Sequence, residues 1–131
     1  MIFMIRPGSA GSARRLATML AVPATLYPAL PLLCTRRIDV GDGHHLHVDE
    51  WGAADGMPAL VLHGGPGSGC SPLLPRFFDP VRYRVICVDQ RGAGRSTPSG
   101  AIHHNTTAHL LADLRRLRKT LAIDRWLVVG G

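Results

Sequence analysis

Two short apolar runs each end in a glycine-rich loop, and this doubled arrangement constrains the chain more than any other feature. Ala59-Leu-Val-Leu-His63 leads into His63-Gly-Gly-Pro-Gly67, and Arg84-Val-Ile-Cys-Val-Asp89 leads into Asp89-Gln-Arg-Gly-Ala-Gly-Arg-Ser96. Runs this short and apolar, bounded by glycine, form strands buried on both faces, as in a parallel sheet. Glycine in such a loop lets backbone N–H groups come close to a substrate oxygen, because no side chain blocks the path. A glycine-rich turn from strand to helix also occurs with no ligand at all, so the first loop alone leaves both readings open. Neither loop cradles phosphate. No Lys-Ser/Thr follows the first, GxGxxG spacing is missing from both, and no acid stands where a ribose partner is needed.

The flanking segments complete an alternating pattern. Ile38-Asp-Val40 and His44 to Glu50 flank Gly41-Asp-Gly43, a hairpin turn signal. In the second of these strands Leu46 and Val48 alternate with His45, His47 and Asp49, which predicts one wet face. Gly52 to Pro58 is a loop by composition, and Ser71 to Phe78 is expected to form a short helix with Pro72 in its first turn. From Thr106 or Thr107 the period changes to that of a helix. Leu110, Leu111, Leu114, Leu117 and Leu121 form the core stripe, with Arg115, Arg116, Arg118 and Lys119 facing away. A threonine N-cap and Asp113 in the early part of the helix suit the helix dipole. Arg125 to Val129 then forms a third buried strand. Hairpin, strand, helix, strand, helix, strand is an α/β order, with a parallel sheet and right-handed crossovers. Ligands in such sheets sit at the carboxyl ends of the strands, where both glycine loops fall. Within the second loop Asp89, Arg91, Arg95 and Ser96 are placed to hydrogen-bond across it and brace the first.

Length and charge narrow the function classes. The 131 residues suffice for one small domain. The net charge of +6 is concentrated at one end: the first 37 residues hold five arginines and no acid, whereas residues 38–131 hold ten basic and nine acidic residues. No basic face with groove-reading elements appears on the folded part, so nucleic acid is not an expected partner. No apolar stretch is long enough to span a membrane. The expected organisation is a basic, apolar extension over 1–37 and the folded unit over 38–131. In the extension Arg14-Arg15 precedes an apolar stretch interrupted by Pro23, Pro28 and Pro31. An added extension or a start placed too early fits this better than an export signal, so a cytoplasmic location is expected. Cys34, Cys70 and Cys87 have no CxxC spacing, which argues against a disulfide framework and a zinc site; Cys87 reads as a small buried hydrophobe. His44, His45 and His47 lack an acid or cysteine to complete a metal set, and with His103 and His104 they are expected at the surface. No metal is predicted.

Taken together, Ala59 to Gly131 resembles the amino-terminal part of the α/β-hydrolase fold, and within it the proline iminopeptidases (prolyl aminopeptidases). The motifs that carry the resemblance are Leu62-His-Gly-Gly-Pro-Gly-Ser-Gly69, Val88-Asp-Gln-Arg-Gly-Ala-Gly-Arg-Ser96, Asn105-Thr-Thr107 and Trp126-Leu-Val-Val-Gly-Gly131. It extends weakly upstream through Leu26-Tyr-Pro28 and Asp39 to Gly43. Gln90 favours the iminopeptidases over epoxide hydrolases and dehalogenases of the same fold. The resemblance implies a serine aminopeptidase that releases N-terminal proline from peptides and needs no cofactor.

It further implies that the backbone N–H of Gly65 is one oxyanion donor. His63, Gly64, Pro66, Gly67, Asp89, Gln90, Arg91, Gly92, Gly94 and Ser96 then shape the site, with His63 structural because the family's catalytic histidine is distant. Gly130 and Gly131 match the start of the nucleophile elbow, where the serine would come next. Ser9, Ser12, Ser68, Ser71, Ser96 and Ser99 all lie outside any G-x-S-x-G, so the 131 residues alone are expected to be inactive. The far edge of the third parallel strand is expected to be unpaired, which predicts poor solubility. The alternatives are a catalytically dead, truncated or degenerate copy, or an esterase or epoxide hydrolase on the same fold. Nothing in the sequence indicates the oligomeric state.

Overall fold

A computed structural model of the chain describes residues 2–3, 25–65 and 67–130. In chain order its elements are β1 (Ile2–Phe3), β2 (Leu32–Gly41), β3 (His44–Gly52), β4 (Met57–Leu62), a 3-10 turn (Leu74–Phe77), β5 (Tyr83–Asp89), α1 (Thr107–Thr120) and β6 (Leu127–Gly130). The strands form one mixed sheet in the order β1-β6-β4-β5-β3-β2. β4 runs parallel to both β5 and β6, while the β2–β3 hairpin joins the sheet antiparallel to β5. The α/β architecture with an amino-terminal hairpin is the one the alternating pattern requires.

Burial explains why the central runs are almost wholly apolar. Successive residues of a strand face opposite sides, and both sides are covered. Leu60, Ile86 and Val88 join Leu46, Val48, Leu117 and Leu121 on the side where α1 packs. Ala59, Val61, Val85 and Cys87 pack with Leu30 and Phe78 on the other. Cys87 is a buried free thiol, as expected.

Several expectations change on the structure. The helix expected over Ser71 to Phe78 is only the 3-10 turn Leu74–Phe77. Pro72 and Pro75 remove two backbone donors within four residues, too close together for an α-helix to propagate. The face of β3 expected to be wet is only partly so: His45 and His47 are half-buried and Asp49 is buried, and on the opposite face Glu50 is buried too. Glu50 accepts hydrogen bonds from Arg36 Nε and Arg84 Nε, both at 2.6 Å, so flanking arginines replace its water. Asp49 is held by Thr35 Oγ1 at 2.6 Å and His47 Nε2 at 3.1 Å. His44, expected at the surface, is fully buried, its Nε2 3.1 Å from the His103 carbonyl and its Nδ1 without a protein partner among the described residues.

Helix α1 begins at the predicted place. Thr106 is the N-cap, and its hydroxyl lies 2.8 Å from His109 Nδ1. Leu117 and Leu121 are buried and Leu114 packs beside them, but Leu111 is half exposed. Leu111 follows Leu110 and is therefore turned about 100° around the helix, off the stripe set by Leu110, Leu114, Leu117 and Leu121. Asp113 does not serve the helix dipole; it is buried against Arg91. The hairpin strand starts earlier than its alternation indicated, because Leu32 to Arg37 pair with Trp51 to His47. That strand crosses position 37, and most of the 1–37 segment lies outside the described residues. The far edge of β6 is not bare: Ile2 and Phe3 pair with Val129 and Val128.

Candidate active site

The carboxyl ends of β4, β5 and β6 lie side by side, with Leu62 in register with Val88 on one side and Gly130 on the other. Each of the three motif-bearing segments therefore leaves the sheet at the same edge. His63 to Gly69 follows β4, Gln90 to Ser96 follows β5, and Gly130 closes β6. Pro66 and Gly131, both expected in the site, lie outside the described residues.

Asp89 is the hub between the first two loops. It is 1% exposed. One carboxylate oxygen accepts the Cys70 N–H at 2.7 Å, and the other accepts the Arg95 N–H at 2.9 Å and Arg95 Nε at 3.2 Å. The Gly94 N–H donates to the Gly67 carbonyl at 3.1 Å, a second stitch between the loops. Such close approach is open only to glycine. A Cβ on Gly94 would stand 2.5 Å from Asp89 Oδ2 and 2.9 Å from Gly69 Cα, at a φ of +49°. Ser96 donates to the Asp89 carbonyl and accepts the His47 N–H at 2.9 Å, tying the second loop to the hairpin. The bracing foreseen for Asp89, Arg95 and Ser96 is thus present.

His63 is engaged with the second loop. Its Nε2 accepts the Gln90 N–H at 3.1 Å, and the Gln90 side-chain amide donates to the His63 carbonyl at 3.4 Å. An imidazole nitrogen that accepts from a backbone amide is not free to take a proton from a hydroxyl. Gly65 has a φ of +68°, and a Cβ there would meet nothing nearer than Ser68 Oγ at 4.0 Å. Its amide has no acceptor among the described residues. Gly65 thus offers an open backbone donor three residues beyond Leu62, the residue in register with Gly130.

Arg91 works elsewhere. Its guanidinium binds both oxygens of Asp113 at 2.7 and 2.9 Å, Asp42 Oδ2 at 2.9 Å, and the carbonyls of His104 and Val40. It fastens the second loop to α1 and the hairpin turn, and it does not reach the glycine loop. Gly92 is confined beneath the Ala101 carbonyl, 2.5 Å from where a Cβ would stand, and Asn105 donates to the Arg91 carbonyl at 3.0 Å. The buried Arg91–Asp113 pair escaped sequence reasoning, although a signal existed: Asp113 stands between Leu110 and Leu117 at the spacing of the apolar stripe.

Residues 58–131 match the family model of the α/β-hydrolase fold. The chain belongs to the α/β-hydrolase family. This hydrolase chain is similar to a probable proline iminopeptidase of Streptomyces coelicolor, 52% identical over 111 residues that cover 81% of this chain and 34% of that protein. Among solved structures it is similar to a proline iminopeptidase-related protein from Thermus thermophilus, with a TM-score of 0.63, 30% identity, and coverage of 74% of this chain and 35% of that one. It is also similar to an epoxide hydrolase from metagenomes of hot environments, with a TM-score of 0.62, 32% identity, and coverage of 74% and 33%. The hydrolase chain spans about a third of the length of the curated relatives it matches.

Proposed function

We propose that this chain supplies the oxyanion side of a prolyl aminopeptidase, an enzyme that releases N-terminal proline from peptides through a serine acyl-enzyme. The observation that carries the reading is the open Gly65 amide, on the loop that leaves β4 where Leu62 is in register with Gly130, with that loop stitched to the second one through Asp89. The 52% identity to a probable proline iminopeptidase supports the substrate class.

In this reading the carbonyl oxygen of the scissile bond accepts from Gly65 N–H, and the bond strengthens as negative charge develops on that oxygen. One such donor contributes about 2.7–4 kcal/mol of transition-state stabilisation. In a polypeptide that continues past Gly131, the next residue would leave β6 beside this donor, where a nucleophilic serine attacks the carbonyl carbon. His63, Gln90, Asp89, Gly94 and Ser96 hold the donor loop in place, and Gly64 and Gly67 give it its shape. Arg91 and Gly92 fix the second loop from behind. No cofactor takes part, the partners are peptides with a free N-terminal proline, and the location is cytoplasmic.

A chimera tests this directly. The matched residues of this chain replace their counterpart in the Streptomyces relative, whose remaining two-thirds is kept. Hydrolysis of a proline arylamide is expected, with Gly65→Ala lowering kcat while KM changes little. A chimera that melts cooperatively yet leaves the arylamide intact would overturn the reading and favour the second one, a different hydrolase such as the 32%-identical epoxide hydrolase.

A further inference from the structure

Arg91 joins the second loop to a separate group of side chains that the peptidase reading leaves unused. Asp42 lies on the turn between β2 and β3, His104 in the loop before α1, and His109 in the first turn of α1. Asp42 is distant in sequence from the two histidines, which are five residues apart, yet one ligand atom from each residue lies within 4.8 Å of the other two. The rings of His104 and His109 stand 5.6 Å apart at 75°.

Three features make this more than chance proximity. Two of the residues hold unusual backbone: Asp42 has a φ of 56° and His104 a φ of 47°, in the left-handed region where a non-glycine residue costs on the order of 1 kcal/mol. One guanidinium holds both of them, since Arg91 Nη1 donates to Asp42 Oδ2 at 2.9 Å and to the His104 carbonyl at 2.8 Å. The charge is unbalanced, because Asp42 and Asp113 set two carboxylates against the single positive charge of Arg91. The other ionic groups near the turn, Arg116 and Asp39, carry opposite signs.

We propose that Asp42, His104 and His109 bind a divalent transition-metal ion, with Zn2+ the best match, which ties the hairpin turn to the start of α1. Two imidazoles and one carboxylate suit zinc, whereas calcium and magnesium require oxygen ligands. With Zn–N and Zn–O bonds of about 2.0–2.2 Å, tetrahedral ligands stand roughly 3.4 Å apart. Closing from 4.8 Å needs only side-chain rotation, which Asp42 and His104 are exposed enough to make. His109 Nδ1 accepts the Thr106 N–H at 3.3 Å and lies 2.8 Å from Thr106 Oγ1, which orients the ring; ion binding at Nε2 shifts the proton to Nδ1, which then donates to Oγ1 in place of the 3.3 Å bond. Asp42 keeps Oδ2 on Arg91 and offers Oδ1. Water fills the fourth position.

The test is a calorimetric titration of the metal-free chain with Zn2+, repeated in the chimera, each checked for a cooperative melt. Neither readout needs peptidase activity, so failure here is separable from failure of the peptidase reading. One ion per chain is expected, with His104→Gln and His109→Gln each weakening binding by about tenfold or more. His45→Gln, on the same hairpin but outside the group, should bind as the parent does. Zn2+ should raise the melting temperature of the parent and of His45→Gln but not of the other two variants. Absence of saturable binding by the folded parent overturns the proposal, as does equal binding by His104→Gln and His109→Gln.

Discussion

Asp89 does two jobs with one carboxylate. It binds backbone amides from both glycine loops, and its own carbonyl accepts from Ser96. The space left around it admits no further atom, so Gly94→Ala is expected to destabilise the fold by about 2–4 kcal/mol, from overpacking against Asp89 together with left-handed strain. Chemical denaturation measures this, and a loss under 1 kcal/mol would mean that the loops are looser than these distances imply. A second residue-scale expectation concerns acid. Burial opposes ionisation of Glu50, yet hydrogen bonds from Arg36 and Arg84 outweigh it and hold the carboxyl below its ordinary value of 4.5. Burial likewise opposes ionisation of Asp49, and hydrogen bonds from Thr35 and His47 outweigh it, holding that carboxyl below 3.8. A depressed folded-state value stabilises the fold above the unfolded value, and this contribution drains away as pH falls through the folded one. Melting temperature should therefore drop steeply as pH is lowered below about 4.5. Glu50→Gln should be less stable at neutral pH and show a shallower acid slope; an unchanged slope would assign the acid sensitivity to other groups.

At the scale of elements, α1 shows how far periodicity reaches. Its start, its core stripe and its basic outer face were legible, because residues three and four apart share a face of any helix. Leu111 was wrongly grouped with the stripe, since the apolar character of a leucine does not say which side of a boundary it falls on. Leu117→Ala should cost about 2–5 kcal/mol, while Leu111→Ala should stay within about 0.5 kcal/mol. Comparable losses in urea titrations would show that Leu111 is covered in solution. The segment between β4 and β5 was misread for a different reason. Its apolar residues suit a helix, but Pro72 and Pro75 permit only one 3-10 turn.

For the molecule as a whole, the proposed reaction needs parts that these residues do not bring together. Among the described residues no serine hydroxyl bonds an imidazole: Ser68 donates to the Gly64 carbonyl and Ser96 to the Asp89 carbonyl. The 131-residue chain alone should therefore hydrolyse no proline arylamide above buffer, and measurable turnover by the purified chain would refute that assignment of parts. β6 is only half buried, and two residues of β1 cover part of its edge, so the surface that could template aggregation is reduced rather than removed. The strands, their parallel order and the two glycine loops at one sheet edge were readable from the amino-acid order, because burial on both faces demands unbroken apolar runs and tight turns demand glycine. Membership of the hydrolase family was readable for the same reason, since its motifs are contiguous. The tertiary structure alone decided which polar groups are buried and what satisfies them. Glu50 between Arg36 and Arg84, Arg91 against Asp113, and the meeting of Asp42 with the His104 and His109 pair all join residues far apart in the chain. No local spacing encodes such partners; the packing of hairpin, loop and helix brings their charges within hydrogen-bonding or ligand distance.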